Sequence, residues 1–178
     1  MSWSPAIGTM SLVERLGKRD TLDVLVTLLA GEASGPDLVW SSYREVLLDI
    51  GNGHANRLMA DTTGTRLSYW PRVWAARSLA YLGDMAAIES LVEALGDGHW
   101  RVRMTAIQTL GRLGAEGVSS ELILGLADEH RRVREATVLA LGRVGDEQAL
   151  QRLTNALPKT DAHGVELAIA KIEQRLGT

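Results

Sequence analysis

Apolar residues recur at helical spacing through the C-terminal half of the chain, and the pattern returns at a fixed step of 31 residues. Val102, Ala106, Leu110 and Leu113 fall on one face of a 3.6-residue helix. Leu79, Leu110 and Leu141 are one period apart, as are Leu82, Leu113 and Val144. Gly83, Gly114 and Gly145 follow, then Leu91, Leu122 and Leu153, then Leu95, Leu126 and Leu157. Self-similarity at such a period marks stacked supersecondary units, each burying its apolar face against its neighbours. The unit reads as helix A, tight turn, helix B. The glycine after helix A is expected in the left-handed conformation that ends a helix without Cβ strain. Asp84 and Asp146 follow at once and predict side-chain caps for helix B. Ile88, Leu91, Val92 and Leu95 predict its buried stripe. No strand alternation competes, so the expected class is an all-α, right-handed α-solenoid.

Two weaker copies lie upstream. Leu16-Gly17 with Leu25 and Leu29 keeps both leucines after the glycine, whereas Leu47, Ile50 and Gly51 are followed by Met59 and Thr63. The glycine steps are then 34, 32, 31 and 31, which gives about five two-helix repeats. One domain over 1–178 is expected, with degenerate repeats about 10–68, regular repeats about 69–160 and a capping helix about 162–177. Glu166, Lys171, Glu173 and Gln174 suit the solvent-facing closing helix that a solenoid requires. Residues 51–68 lose the repeat and are rich in polar turn formers; they read as a ligand-binding loop or as drift in a poorly constrained unit.

Composition narrows the class further. Charged residues are 23% and hydrophobic residues 46%, too apolar for disorder. Five Trp, three Tyr and no Phe leave Leu, Ala and Val to fill the core. Trp70 and Trp74 share a helix face, and the expected arrangement has Trp74 inside while Tyr69 and Trp70 seal the junction with the preceding unit. With no cysteine, disulfides and thiolate metal sites are excluded. The longest apolar run, residues 24–30, is far short of a membrane span, and residues 1–5 lack a basic signal-peptide start. A cytoplasmic protein with no membrane association is expected. Net charge is −3, and neither half has the basic surplus that phosphate neutralisation favours.

The runs 101–106 with 110–114, and 132–134 with 141–145, resemble bacterial HEAT-like repeats, and more narrowly the short type named after phycobilisome bilin lyases. The resemblance is good over 69–158 and poor over the first 60 residues. It implies a ladder of Asp and Arg along the stack, here Asp97 with Arg103 and Asp128 with Arg134, tying units together rather than binding ligand. It also names enzymes to test for. The His-Glu pair that holds a di-iron centre in deoxyhypusine hydroxylases is missing, since those positions are Val73-Trp74, Met104-Thr105 and Glu135-Ala136. Alkylpurine DNA glycosylases use a basic groove with Trp, Asp and Arg. Here Trp70, Trp74 and Trp100 lie near Arg101, Arg103, Arg131, Arg132 and Arg134, but the arginines fall at helix starts, near an edge.

His99 and His130 occupy one loop position a period apart, with His163 further on and His54 upstream. Their expected role is that of polar loop residues near helix starts, because stacked repeats about 8–10 Å apart hold two imidazoles too widely to share a metal. No nucleophile lies beside a base, and no phosphate-binding glycine loop occurs. No catalytic residue, metal ligand or cofactor is expected. In the resembling stacks the B helices line the concave face, which places Glu89, Glu93, Glu121, Leu124, Gln151 and Asn155 on a mixed, slightly acidic surface. Trp70 and Trp100 join them as candidate partner contacts, since Trp is enriched at interface hot spots. The first functional reading is a non-catalytic scaffold or adaptor that binds a protein segment on that face. An accessory subunit of a bilin-lyase-like enzyme and a nucleic-acid-binding protein remain as alternatives.

Overall fold

The computed structural model describes residues 4–31, 43–51, 54–56, 69–156 and 162–177. Every regular element among them is helical, and successive helices pack in neighbouring pairs, as the 3.6-residue spacing requires. The chain divides into two compact units, Met1–Ala94 and Leu95–Thr178.

The first unit contains α1 (Pro5–Leu16), α2 (Lys18–Ala30), α3 (Arg44–Gly51), α4 (Trp70–Leu82) and α5 (Ile88–Glu93). Helix α1 starts before the periodic pattern does, because Ser4 caps it by accepting from the Ile7 N–H at 3.4 Å and Pro5 fits the first turn. It packs on α2, α3 and α4, while α2 lies against α4 and α5. The first helix pair therefore touches the third directly, a departure from strict nearest-neighbour stacking. At eight residues, α3 is short, and α4 packs on α1 and α2 as well. Gly51 does not follow α3 as a helix-ending residue; it is the buried last residue of that helix. Its role is close approach, since a Cβ there would lie 2.6 Å from the Trp74 ring. Trp74 is buried as expected. Of the irregular stretch, residues 52–53 and 57–68 lie outside the described residues, Met59 and Thr63 among them. Residues 54–56 are helical with Ala55 buried.

The second unit contains α6 (Trp100–Leu113), α7 (Ser119–Leu124), α8 (Arg131–Val144), α9 (Glu147–Ala156) and α10 (Ala162–Leu176). Helix α8 lies between α6 and α10, α7 packs on α8 and α9, and α9 packs on α10. Two glycines bring the A helices together. A Cβ on Gly111 would sit 3.0 Å from Ala140, and one on Gly142 would sit 3.1 Å from Ala168. The expected closing helix thus occupies the A position of a further repeat, with Val165, Ala168 and Ile172 buried and Glu166, Lys171, Glu173 and Gln174 exposed. Buried threonines are satisfied locally: the Thr105 and Thr137 hydroxyls donate to the carbonyls of Arg101 and Val133 at 2.7 and 2.9 Å.

The B-helix stripe differs from the expected one. Leu91, Leu122 and Leu153 are fully buried, but Ile88, Val92 and Leu95 are only half-buried, and Ala87 and Ala94 face inward instead. The α-helical part of this B helix is six residues long, between 3-10 turns at Met85–Ala87 and Ala94–Gly96. The tighter winding of those turns moves the inward face onto the alanines.

Helix ends show a second difference. Gly83 and Gly114 are left-handed, each with φ of 65°, as expected. Gly145 is extended instead, with φ −66° and ψ 152°. The last carbonyls of α8 have side-chain donors, so the left-handed turn that would otherwise satisfy them is unnecessary. Arg175 donates to the carbonyls of Gly142 at 3.3 Å, Arg143 at 2.8 Å and Gly145, while the Ser119 hydroxyl donates to Val144 at 3.2 Å. Glycine is still required, because a Cβ at 145 would lie 2.5 Å from the Leu141 carbonyl and 2.8 Å from the Ala149 Cβ.

Candidate interaction surface

The loops before α6 and α8 are built alike. Asp97 Oδ1 accepts from the His99 N–H at 2.7 Å, and His99 Nδ1 accepts from the Arg101 N–H at 3.2 Å. One period on, Asp128 accepts from His130 at 2.8 Å and His130 Nδ1 from Arg132 at 3.3 Å. Both imidazoles are helix caps, and the lone pair a metal would need at Nδ1 is engaged. Asp84 and Asp146 cap B helices, accepting from Ala86 at 3.1 Å and Ala149 at 3.0 Å.

The arginines after the loops fasten their own loop, and Arg103 also reaches the next repeat. Arg103 donates to the Asp97 carbonyl at 2.9 Å, and Arg134 donates to the Asp128 carbonyl at 2.8 Å. The six-residue offset is therefore bridged through the backbone of Asp, not its carboxylate. The carboxylate partner of Arg103 is Asp128, 25 residues further on, in a two-pronged pair at 2.8 and 2.9 Å. Both side chains are about nine-tenths buried, at 12% and 11% exposure. The guanidinium's hydrogen bonds hold the Asp128 carboxyl below the usual carboxylate range; burial opposes this, and the His130 N–H adds to it.

Trp100 stands at the centre of the same edge. The His130 ring lies parallel to it with centroids 3.8 Å apart and planes 6° apart, and His99 stacks at 6.1 Å. The Arg101 and Arg132 guanidiniums lie 4.3 and 5.8 Å from the indole centroid. Sequence spacing placed two histidines at one loop position, but not the insertion of Trp100 beside the second of them. The signal was that a residue directly after one loop faces the matching loop a period later.

On the B-helix side, α7 and α9 lie together in the second unit. Leu124 is 75% exposed, Gln151 and Asn155 are exposed, and Glu121 is half-buried, accepting from the Ser120 hydroxyl at 3.1 Å. Glu89 and Glu93 are exposed on α5 of the first unit. Trp70 is half-buried there, with its ring 5.9 Å from Trp74 and 5.1 Å from Tyr69. Among the described residues, no group of three or more His, Asp or Glu is set to hold a metal ion, and no helix is long and apolar enough to cross a membrane.

Paired helices, repeating with glycine turns and an Asp–Arg bridge between successive loops of the second unit, define a helical-repeat protein whose B helices carry polar surface. The chain is a HEAT-like repeat protein: residues 65–126 match the family described as HEAT repeats, and residues 133–157 match the PBS lyase HEAT-like repeat. No curated protein matches the chain.

Proposed function

We propose that the protein is a non-catalytic scaffold or adaptor, in a cytoplasmic setting, that binds a protein segment along the B helices of its second unit. HEAT repeats generally mediate protein–protein interaction. The observation that carries the reading is Leu124, a large apolar side chain left 75% exposed on α7 beside the polar Gln151 and Asn155 of the adjacent α9. An apolar anchor with a polar surround is the composition of an interface centre and its rim. The experiment compares proteins retained from the native cell by the wild type and by Leu124→Arg. Loss of specific partners at an unchanged melting temperature supports the reading. Identical retention by both proteins, or retention of nothing by either, removes it.

A further inference from the structure

Exposed apolar side chains also lie on the A helices, in two pairs with opposite charge beside them. In the second unit, Leu139 on α8 and Leu167 on α10 are 58% and 50% exposed. Each directly precedes the alanine that packs on the glycine of the A helix before it, Ala140 on Gly111 and Ala168 on Gly142, so the two leucines hold equivalent places. A Cβ at Gly142 would meet Ala168 and one at Gly145 would meet Ile172, so α8 and α10 run in the same direction. Four residues after each leucine, on the same face, stands an exposed cation, Arg143 and Lys171 respectively. In the first unit, Ile7 and Met10 on α1 are 47% and 52% exposed, and the exposed Glu14 comes four residues after Met10. The cations nearest to Glu14 along the chain are committed elsewhere, Arg15 to Asp49 and Lys18 to Asp84. Among the described residues, Glu14, Arg143 and Lys171 have no side chain of opposite charge at ion-pair distance.

We infer that α1 of one copy docks on α8 and α10 of a second copy, so that the chain self-associates head to tail. The spacing matches on both sides, since apolar residue and charge stand four positions apart on all three helices. With α1 laid parallel over the groove between α8 and α10, Met10 falls between Leu139 and Leu167, and Glu14 falls between Arg143 and Lys171. Packed helix axes about 8–10 Å apart leave a groove that takes one row of side chains from a third helix. The two faces are unlike and complementary in charge, which favours a heterologous contact over one between like faces. A heterologous contact leaves one free face at each end, so further copies add to it. The contact uses A-helix faces and does not rest on the B-helix reading.

Sedimentation velocity of the full chain from about 10 to about 500 µM tests the contact, because small interfaces give weak, reversible assembly. The average mass of the wild type is expected to rise with concentration and to fall with added salt. Ile7→Gln/Met10→Gln disables the α1 face and Leu139→Gln/Leu167→Gln the opposite one. All four positions are exposed, so melting temperatures are expected to stay near that of the wild type. Each double variant alone is expected to associate at least about tenfold more weakly. Mixed in equal amounts, the two are expected to form dimers and nothing larger, since each brings one intact face. Glu14→Lys changes one exposed side chain and reads the same contact through repulsion, should a double variant unfold. A wild type that stays monomeric, a folded variant that associates as the wild type does, or a mixture that forms no dimer overturns the inference.

Discussion

Asp128 accepts from Nε and one Nη of Arg103 and from the backbone N–H of His130, while the other Nη of Arg103 donates to the Asp97 carbonyl in the preceding loop. Removing Asp128 leaves a nine-tenths buried arginine with only the exposed Glu129, at 3.4 Å, as a carboxylate partner, so Asp128→Ala is expected to lose about 2–4 kcal/mol in urea unfolding. The pH dependence follows from the lowered carboxyl. The unfolded state binds the proton first, so the contribution is complete above the ordinary carboxylate range near pH ~4 and disappears as pH falls through the lower folded value. The stability difference between wild type and Asp128→Ala is thus expected to hold from neutral pH to about 5 and to close below about 4. Constant separation down to pH ~2 would show that the carboxylate charge is not what matters. The sequence offered Asp97–Arg103 and Asp128–Arg134 as pairs because a fixed offset is visible along the chain. The bridge from Arg103 to Asp128 joins two successive repeats, and an offset within each repeat does not report which loop the side chain reaches.

Helices A and B were legible because 3.6-residue spacing and a recurring glycine are local signals that tertiary packing reinforced. Their ends were legible only where local chemistry decides them. Gly114 and Gly145 occupy the same place in the pattern, yet one is glycine for its left-handed φ and the other for want of space. Gly114→Asn, which tolerates the left-handed region, is expected to change stability by under about 1 kcal/mol. Gly145→Asn forces its Cβ against the Leu141 carbonyl and is expected to cost about 2–3 kcal/mol by thermal unfolding. Equal effects at the two sites would contradict the assignment. Arg175 had no periodic counterpart to announce it, since the residue 31 positions earlier is Val144. Arg175→Ala strips donors from the carbonyls of Gly142, Arg143 and Gly145, and about 2 kcal/mol of stability is expected to go with them. Gly51 illustrates the same limit: its place in the ruler suggested a turn, while the reason for it is the bulk of Trp74, more than 20 residues away.

Across the molecule, the regular repeats from residue 70 onward were readable and the packing of the helices before them was not, because in the first unit contacts run from the first helix pair to the third. The second unit is where single side chains are expected to act over several helices. Ile172 is fully buried in α10, so Ile172→Ala is expected to cost about 2–4 kcal/mol and to lower hydrogen-exchange protection in α8 and α9, on which α10 packs. Normal protection there would mean that α10 adds surface and not stability. The candidate surfaces were only partly visible beforehand. Exposure of Leu124 followed from helical spacing, whereas the Trp100 cluster needed two loops brought side by side. The Arg175 bridge has a consequence in time. A helix closed by its own left-handed glycine has its C-cap within the same stretch of chain. The end of α8 is different: the carbonyls of Gly142, Arg143 and Gly145 take a side-chain donor made thirty or more residues later, so this helix end in the second unit is complete only after α10 has been synthesised.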